Sequence, residues 1–166
     1  MPIIRNTEYE NQMINPKTNQ RIRRICKILF VIYLFVLAYG LFFNEIRASM
    51  AAAGELHYNL VPFLEIRRYL TNTDILGLRN VVMNVFGNMA MFLPFGFLLP
   101  TLFPRVRSMG KTILAGLLFS LLIEVLQMTS RLGCFDVDDL IHNTLGVLIG
   151  YGINRLAAWR IEKRRL

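Results

Sequence analysis

The charged residues of this chain stand in blocks, and between the blocks run four long apolar stretches at about residues 25–43, 81–103, 112–129 and 140–159. A soluble domain interleaves charge along its amphipathic elements, so this segregation points to an integral membrane protein. At the α-helical rise the first stretch extends about 28 Å, enough to cross the hydrocarbon core. The expected fold is all-α: one domain over residues 21–166, a polytopic bundle of four transmembrane helices. Residues 1–20, polar and rich in Asn and Gln, are expected to form a flexible cytoplasmic tail. Composition agrees, with 54% apolar and only 18% charged residues.

A net charge of +8 raises the question of nucleic acid. The basic residues flank apolar runs and form no face with base-reading or stacking residues, so no nucleic-acid partner is expected. Membrane orientation accounts for them instead. Six Lys and Arg precede residue 28, three lie at 105–111 and five at 155–165, against four in the 44–80 connection and Arg131 alone in the last one. By the positive-inside rule both termini are cytoplasmic. A basic cluster, an apolar run and Ala51-Ala52-Ala53 have the outline of a cleavable signal peptide. The run is too long for that, and Asn44, Glu45 and Arg47 intervene, so a retained helix is expected. Cys26 and Cys134 fall on opposite sides of the bilayer in this topology and cannot bridge within one chain.

Within the 44–80 connection, Leu60, Phe63, Leu64 and Leu70 are apolar while Glu65, Arg67 and Arg68 are charged, and Pro62 suits a first helical turn. Either a short interfacial helix or a loop packed on the outer mouth of the bundle fits. Pro94 lies inside the second span, where it deletes the bond to the Ala90 carbonyl and predicts a kink. Gly87 and Gly96, and the set Gly146, Gly150 and Gly152, predict close helix approach.

The polar residues inside the spans are the expensive ones. With the orientation above, Asn84, Asn88, Glu124, Gln127 and Asn143 all lie within roughly 5–12 Å of the outer boundary. Polar groups at matching depth on three helices imply a shared cavity or network opening outward. Asn84 and Asn88 also suit plain interhelical bonding. Glu124, an acid in a span, is functional by default, and it is either protonated or paired with Arg131 seven residues on. Asp136 and Asp138 suit a solvated turn. Asp139 stands where an N-cap of the fourth helix belongs, and the positive helix end would stabilise its charge. His57 and His142 have no His or Cys neighbours to complete a metal motif, and neither a metal nor a cofactor is expected.

Taken together, Asn84-x3-Asn88-x3-Phe92-x-Pro94-Phe95-Gly96, then Glu124-x2-Gln127, then Arg131-x4-Asp136-x2-Asp139-x3-Asn143-Thr144-x-Gly146 resembles the VanZ-like family of bacterial membrane proteins. Asn59-Leu60-Val61-Pro62-Phe63 is similar to that family's first-loop motif, so the resemblance spans about residues 59–152. It implies a polytopic protein of the bacterial cell membrane. The founding member is associated with resistance to teicoplanin, a lipid-bearing glycopeptide that binds cell-wall precursor termini. The family carries no settled catalytic activity, and many members lie outside resistance clusters.

Three functions follow as expectations. The first is a non-enzymatic envelope protein whose outward site (Asn84, Asn88, Glu124, Gln127, Arg131, Asp136, Asp139 and Asn143) binds a lipid or amphipathic ligand. Such a ligand would be a membrane lipid, a lipid-linked cell-wall precursor or a lipoglycopeptide, with amides meeting its polar part and helices its acyl chains. The second is an enzyme acting on a lipid-linked substrate, with Glu124 as general acid or base and Asp136 or Asp139 as a second carboxylate or metal ligand. No nucleophile motif or His-rich signature supports it. The third is a small carrier, for which four helices without an internal repeat are few.

Overall fold

A computed structural model describes residues 16–42, 58–71, 78–131 and 134–163. The expected tail before Pro16, the alanine run at 51–53 and His57 lie outside the described residues. The chain is all-α with one minimal strand pair. In order come α1 (Pro16–Phe42), β1 (Tyr58–Asn59), α2 (Leu64–Thr71), α3 (Leu78–Leu102), a 3-10 turn (Pro104–Val106), α4 (Met109–Thr129), β2 (Phe135–Asp136) and α5 (Val137–Lys163). Among the described residues, α4 alone is both long and apolar enough to cross a membrane, and Phe86–Leu102 is a shorter apolar helix.

The long helices extend past the apolar runs because helix formation does not stop where apolarity does. α1 starts at Pro16, inside the stretch read as tail. Proline is tolerated in a first turn, and Lys17, Gln20 and Arg21 are good helix formers that carry the helix into the apolar run. α3 continues as one helix through Pro94 and Pro100. Each proline frees a carbonyl four residues back. Beside each freed group, three residues before the proline, a carbonyl takes a side-chain donor from a neighbouring helix. Tyr33 Oη donates to the Met91 carbonyl at 2.9 Å, and Asn154 Nδ2 donates to the Phe97 carbonyl at 2.7 Å. Asn154 Nδ2 also reaches Thr101 Oγ1 at 2.7 Å. Side chains of α1 and α5 thus tie down the backbone next to each freed carbonyl.

α5 is the central element, packed most extensively on α3 and next on α4, while α1 leans on α3. Val147 of α5 is fully buried, and glycines make room for it. A Cβ at Gly116 of α4 would lie 2.6 Å from Val147 Cγ2, and one at Gly96 of α3 would run into the Val147 carbonyl. Reciprocally, Gly146 and Gly150 of α5 abut the Met89 and Leu93 carbonyls of α3. Gly87 and Gly152 do not share this role, since a Cβ at either would meet nothing within 4 Å. Gly152 is two residues past Gly150, and therefore about 200° around the helix from it.

Around this crossing, Phe30, Tyr33, Phe92, Phe95 and Phe119 fill the space between α1, α3 and α4. Phe95 and Phe119 stack at 4.9 Å with 7° between ring planes. The outer surface is apolar: Ile28, Ile32, Phe35 and Val36 of α1 and Leu114, Leu118, Leu122 and Leu126 of α4 are all exposed. Cys26 and Cys134 are not joined in a disulfide.

Candidate functional site

The α4 face turned to α5 carries small or polar side chains at helical spacing. Thr112, Gly116, Ser120 and Glu124 recur every four residues and are buried, as is Gln127. A period of four keeps one face of the helix inward. Thr112 Oγ1 donates to the Val106 carbonyl at 2.6 Å and anchors the 3-10 turn. At the other end of the face, Glu124 is 2% exposed, and its Oε2 accepts the Asp136 N–H at 3.1 Å.

Asp136 is the N-cap of α5. Its Oδ1 accepts the Asp138 N–H at 2.8 Å, one of the donors that a helix start leaves unsatisfied. The expectation that Asp139 caps this helix is thereby corrected, because α5 begins at Val137 and Asp139 lies in its first turn. There the carboxylate accepts a hydrogen bond from Asn88 Nδ2 of α3. Asp138 is not a solvated turn residue either. It is 1% exposed, and its Oδ1 accepts the Phe63 N–H at 2.5 Å.

The segment before α2 is tied to the same place. Tyr58 and Asn59 pair in parallel with Phe135 and Asp136. Asn59 Nδ2 donates to Asp136 Oδ1 at 3.1 Å, while its Oδ1 accepts the Val61 N–H at 3.1 Å. Phe63 holds φ 63°, a left-handed conformation rare for a bulky side chain, and this aims its N–H at Asp138. The helix in this connection begins at Leu64, so Pro62 precedes it and is not in its first turn. One turn deeper, Asn143 Nδ2 donates to Ser120 Oγ at 2.8 Å, which joins α5 to α4.

These bonds bring Asn88, Glu124, Asp136, Asp139 and Asn143 to one end of the bundle, with buried Gln127 a turn from Glu124. Arg131 is not part of the buried set. α4 ends at Thr129, and Arg131 itself sits at φ 59° with its side chain exposed. The helical phase that would have brought it over Glu124 is lost, and Glu124 meets the Asp136 backbone instead. The Asn84 side chain lies outside the described residues. Among the described residues, no group of three His, Cys, Asp or Glu side chains is disposed to hold a metal ion.

Sequence reasoning missed Ser120, set Asp138 and His142 aside as a turn residue and an isolated histidine, and gave Asn59 only as part of a loop motif. Ser120 had a signal, since it lies four residues before Glu124 on the same face. His142 is 5% exposed and holds no hydrogen bond at either ring nitrogen. Chemically the end of the bundle combines carboxylates, amides and a hydroxyl, which suits recognition of polar groups inside apolar walls.

Comparison with known proteins agrees with the motifs. The family model described as VanZ/LLP1 matches residues 30–158. Protein VanZ of Enterococcus faecium is 25% identical over 112 residues, which cover 68% of this chain and 69% of that protein. No solved structure matches the chain.

Proposed function

The chain belongs to the VanZ/LLP1 family, and from that premise we propose that it is a bacterial envelope protein that binds a lipid or amphipathic ligand through the polar end of its bundle. In this reading the chain crosses the membrane four times with both termini cytoplasmic, and the polar end faces outward. The segregation of basic residues supports the orientation. The exposed belt on α1 and α4 supports the embedding, because contiguous apolar surface of that extent is unusual on a soluble monomer. Through the family's association, the ligand is a lipid-linked wall precursor or a lipoglycopeptide of the teicoplanin type.

The observation that carries the proposal is the buried network of Glu124, Asp136, Asp138 and Asn143 at one end of a bundle with an apolar outer surface. Polar groups inside a membrane bundle are costly, and they mark ligand sites or relays by default. Binding is the reading supported by the Asn59 and Asn88 amides and the Phe63 and Asp136 N–H groups that meet these carboxylates and position chain segments around them. To test this, wild type and the Glu124→Ala and Asn143→Ala variants are expressed at equal membrane levels in a teicoplanin-susceptible bacterium. Wild type should raise the inhibitory concentration several-fold and the variants should not. Equal protection by the variants would remove the site from the function.

A further inference from the structure

Two bonds draw together the end of the bundle opposite the carboxylates. Arg23 Nη2 of α1 donates to the Leu102 carbonyl at the end of α3, at 3.5 Å. Thr112, in the first turn of α4, donates to the Val106 carbonyl of the 3-10 turn at 2.6 Å. Arg105 and Lys111 each stand one residue before a partner of that second bond. Arg23, Arg105 and Lys111 therefore gather on one short turn, and all three are exposed. Ring packing agrees with this level. Phe30, Phe95 and Phe119 meet across α1, α3 and α4, and seven or eight residues of helix from each lead to Arg23, Leu102 and Lys111. Arg21, Arg24 and Lys27 add exposed cations within about a turn of Arg23. Among the described side chains no acid stands at this end. Glu124, Asp136, Asp138 and Asp139 are all at the other, and the Glu162 side chain lies outside the described residues.

What adjoins these cations decides the partner. Lys111 continues at helical spacing into Leu114, Leu118 and Leu122 of α4, and Arg24 into Ile28, Val31 and Phe35 of α1, all of them exposed. A fitting partner carries negative charge at one end and apolar length beyond it. An acidic peptide or a nucleic acid would meet the cations and leave both strips bare. A phospholipid meets both, with its phosphate at Arg23, Arg105 and Lys111 and its acyl chains along the strips. Net charge then separates the phospholipid classes. A zwitterionic headgroup brings its own cation against these three, and an anionic one does not. The end of α5 offers less, because Lys163 lies over the Trp159 ring at 5.4 Å and is already engaged.

We propose that the turn between α3 and α4, together with Arg23, seats an anionic phospholipid of the cytoplasmic leaflet. This rests on the membrane-spanning reading above and not on the ligand site at the polar end. The test uses the full chain in nanodiscs containing equal amounts of phosphatidylglycerol and phosphatidylcholine with matched acyl chains. Lipids retained on release from the disc are counted by native mass spectrometry. A cation beside an anionic headgroup contributes a factor of about five, so wild type should retain phosphatidylglycerol at least about ten-fold over phosphatidylcholine. Arg105→Gln combined with Lys111→Gln should bring the two within about two-fold. Arg160→Gln combined with Lys163→Gln removes the same charge from α5 and should leave the preference in place. Arg105→Lys with Lys111→Arg keeps the charge on the turn and should also keep it. Thermal unfolding of the same samples checks that each variant is folded. A wild type without preference overturns the proposal, as does its loss in the charge-keeping variant. Equal losses in the two Gln pairs would mean that charge acts only as an average over the whole end, and the seat falls. Displacement of phosphatidylglycerol by excess free glycerol phosphate would make this a phosphate site and overturn the lipid assignment. Loss of the preference in a folded Glu124→Ala protein would move the lipid to the polar end and overturn it too. Release of the chain from bacterial membranes by alkaline carbonate removes the membrane-spanning reading and this proposal with it. An embedded chain without the preference removes the proposal alone.

Discussion

The middle of the bundle and its polar end hold the same helices together by opposite means. At the middle, α3 and α5 touch through backbone: Gly96, Gly146 and Gly150 bring carbonyls against Cα atoms, and Val147 fills the hollow between Gly96 and Gly116. At the polar end, contact runs through side-chain oxygens and amide nitrogens reaching from Asn59, Asn88, Glu124 and Asp136. The first region is limited by volume and contains nothing to exchange with a ligand. The second is limited by hydrogen-bond partners, and its groups can serve a ligand as well as one another. Under the proposed function, fold and ligand binding are thereby separated along one bundle, which makes the contrast open to mutation.

The largest effect is expected at the crossing. Gly146→Ala places a methyl against the Met89 carbonyl, with Met89 Cα only 3.1 Å from it, so backbone has to move. Overpacking of this kind costs about 2–3 kcal/mol, and Gly146→Leu should prevent assembly of the bundle. Helical circular dichroism during thermal unfolding in detergent measures the loss. A Gly146→Ala protein as stable as wild type would show that the helices are not in backbone contact.

A smaller and more local effect is expected from Asp136→Ala. The change removes the α5 cap and the bond to Asn59, together worth roughly 2 kcal/mol. The damage should be confined to the polar end, so hydrogen exchange should rise in residues 58–63 and at the start of α5 while the crossing stays protected. Asp136→Asn keeps an oxygen at the cap and should lose less. A uniform rise along all helices would mean that the two regions are not energetically separate.

The all-α class was legible because apolar runs of span length leave the backbone few other ways to pair. The conjunction of Asn88, Glu124 and Asn143 was also legible, from the cost of such groups in apolar runs and from their common depth, whereas Asp136 and Asp139 joined them only through the family resemblance. Helix starts were not. Whether Asp136 or Asp139 caps α5 depends on where the chain turns, and both are good caps by type. The tie from Asn59 and Phe63 depends on parallel pairing between segments 77 residues apart, which no local pattern encodes. Arg131 was misplaced because helical phase was extended past a helix end. Asp138 looked solvated because an acid in a turn usually is, and its burial follows from the outer segment folding over it.

Gly152 sharpens the comparison from the other side, since it differs from Gly150 only in phase. Both lie inside α5, but a Cβ at Gly150 would meet the Leu93 carbonyl and come within 2.9 Å of Phe97 N, whereas one at Gly152 would meet nothing within 4 Å. Gly152→Ala therefore adds no clash and removes backbone freedom from the unfolded helix, so it should be neutral or stabilising by up to about 1 kcal/mol. Gly150→Ala should destabilise in the manner of Gly146→Ala. The pair is best measured together, as thermal midpoints under one detergent condition. A Gly152→Ala protein that loses as much stability as Gly150→Ala would mean that Gly152 faces a partner helix, and that the small-residue contact follows all three glycines rather than the single stripe of Gly146 and Gly150.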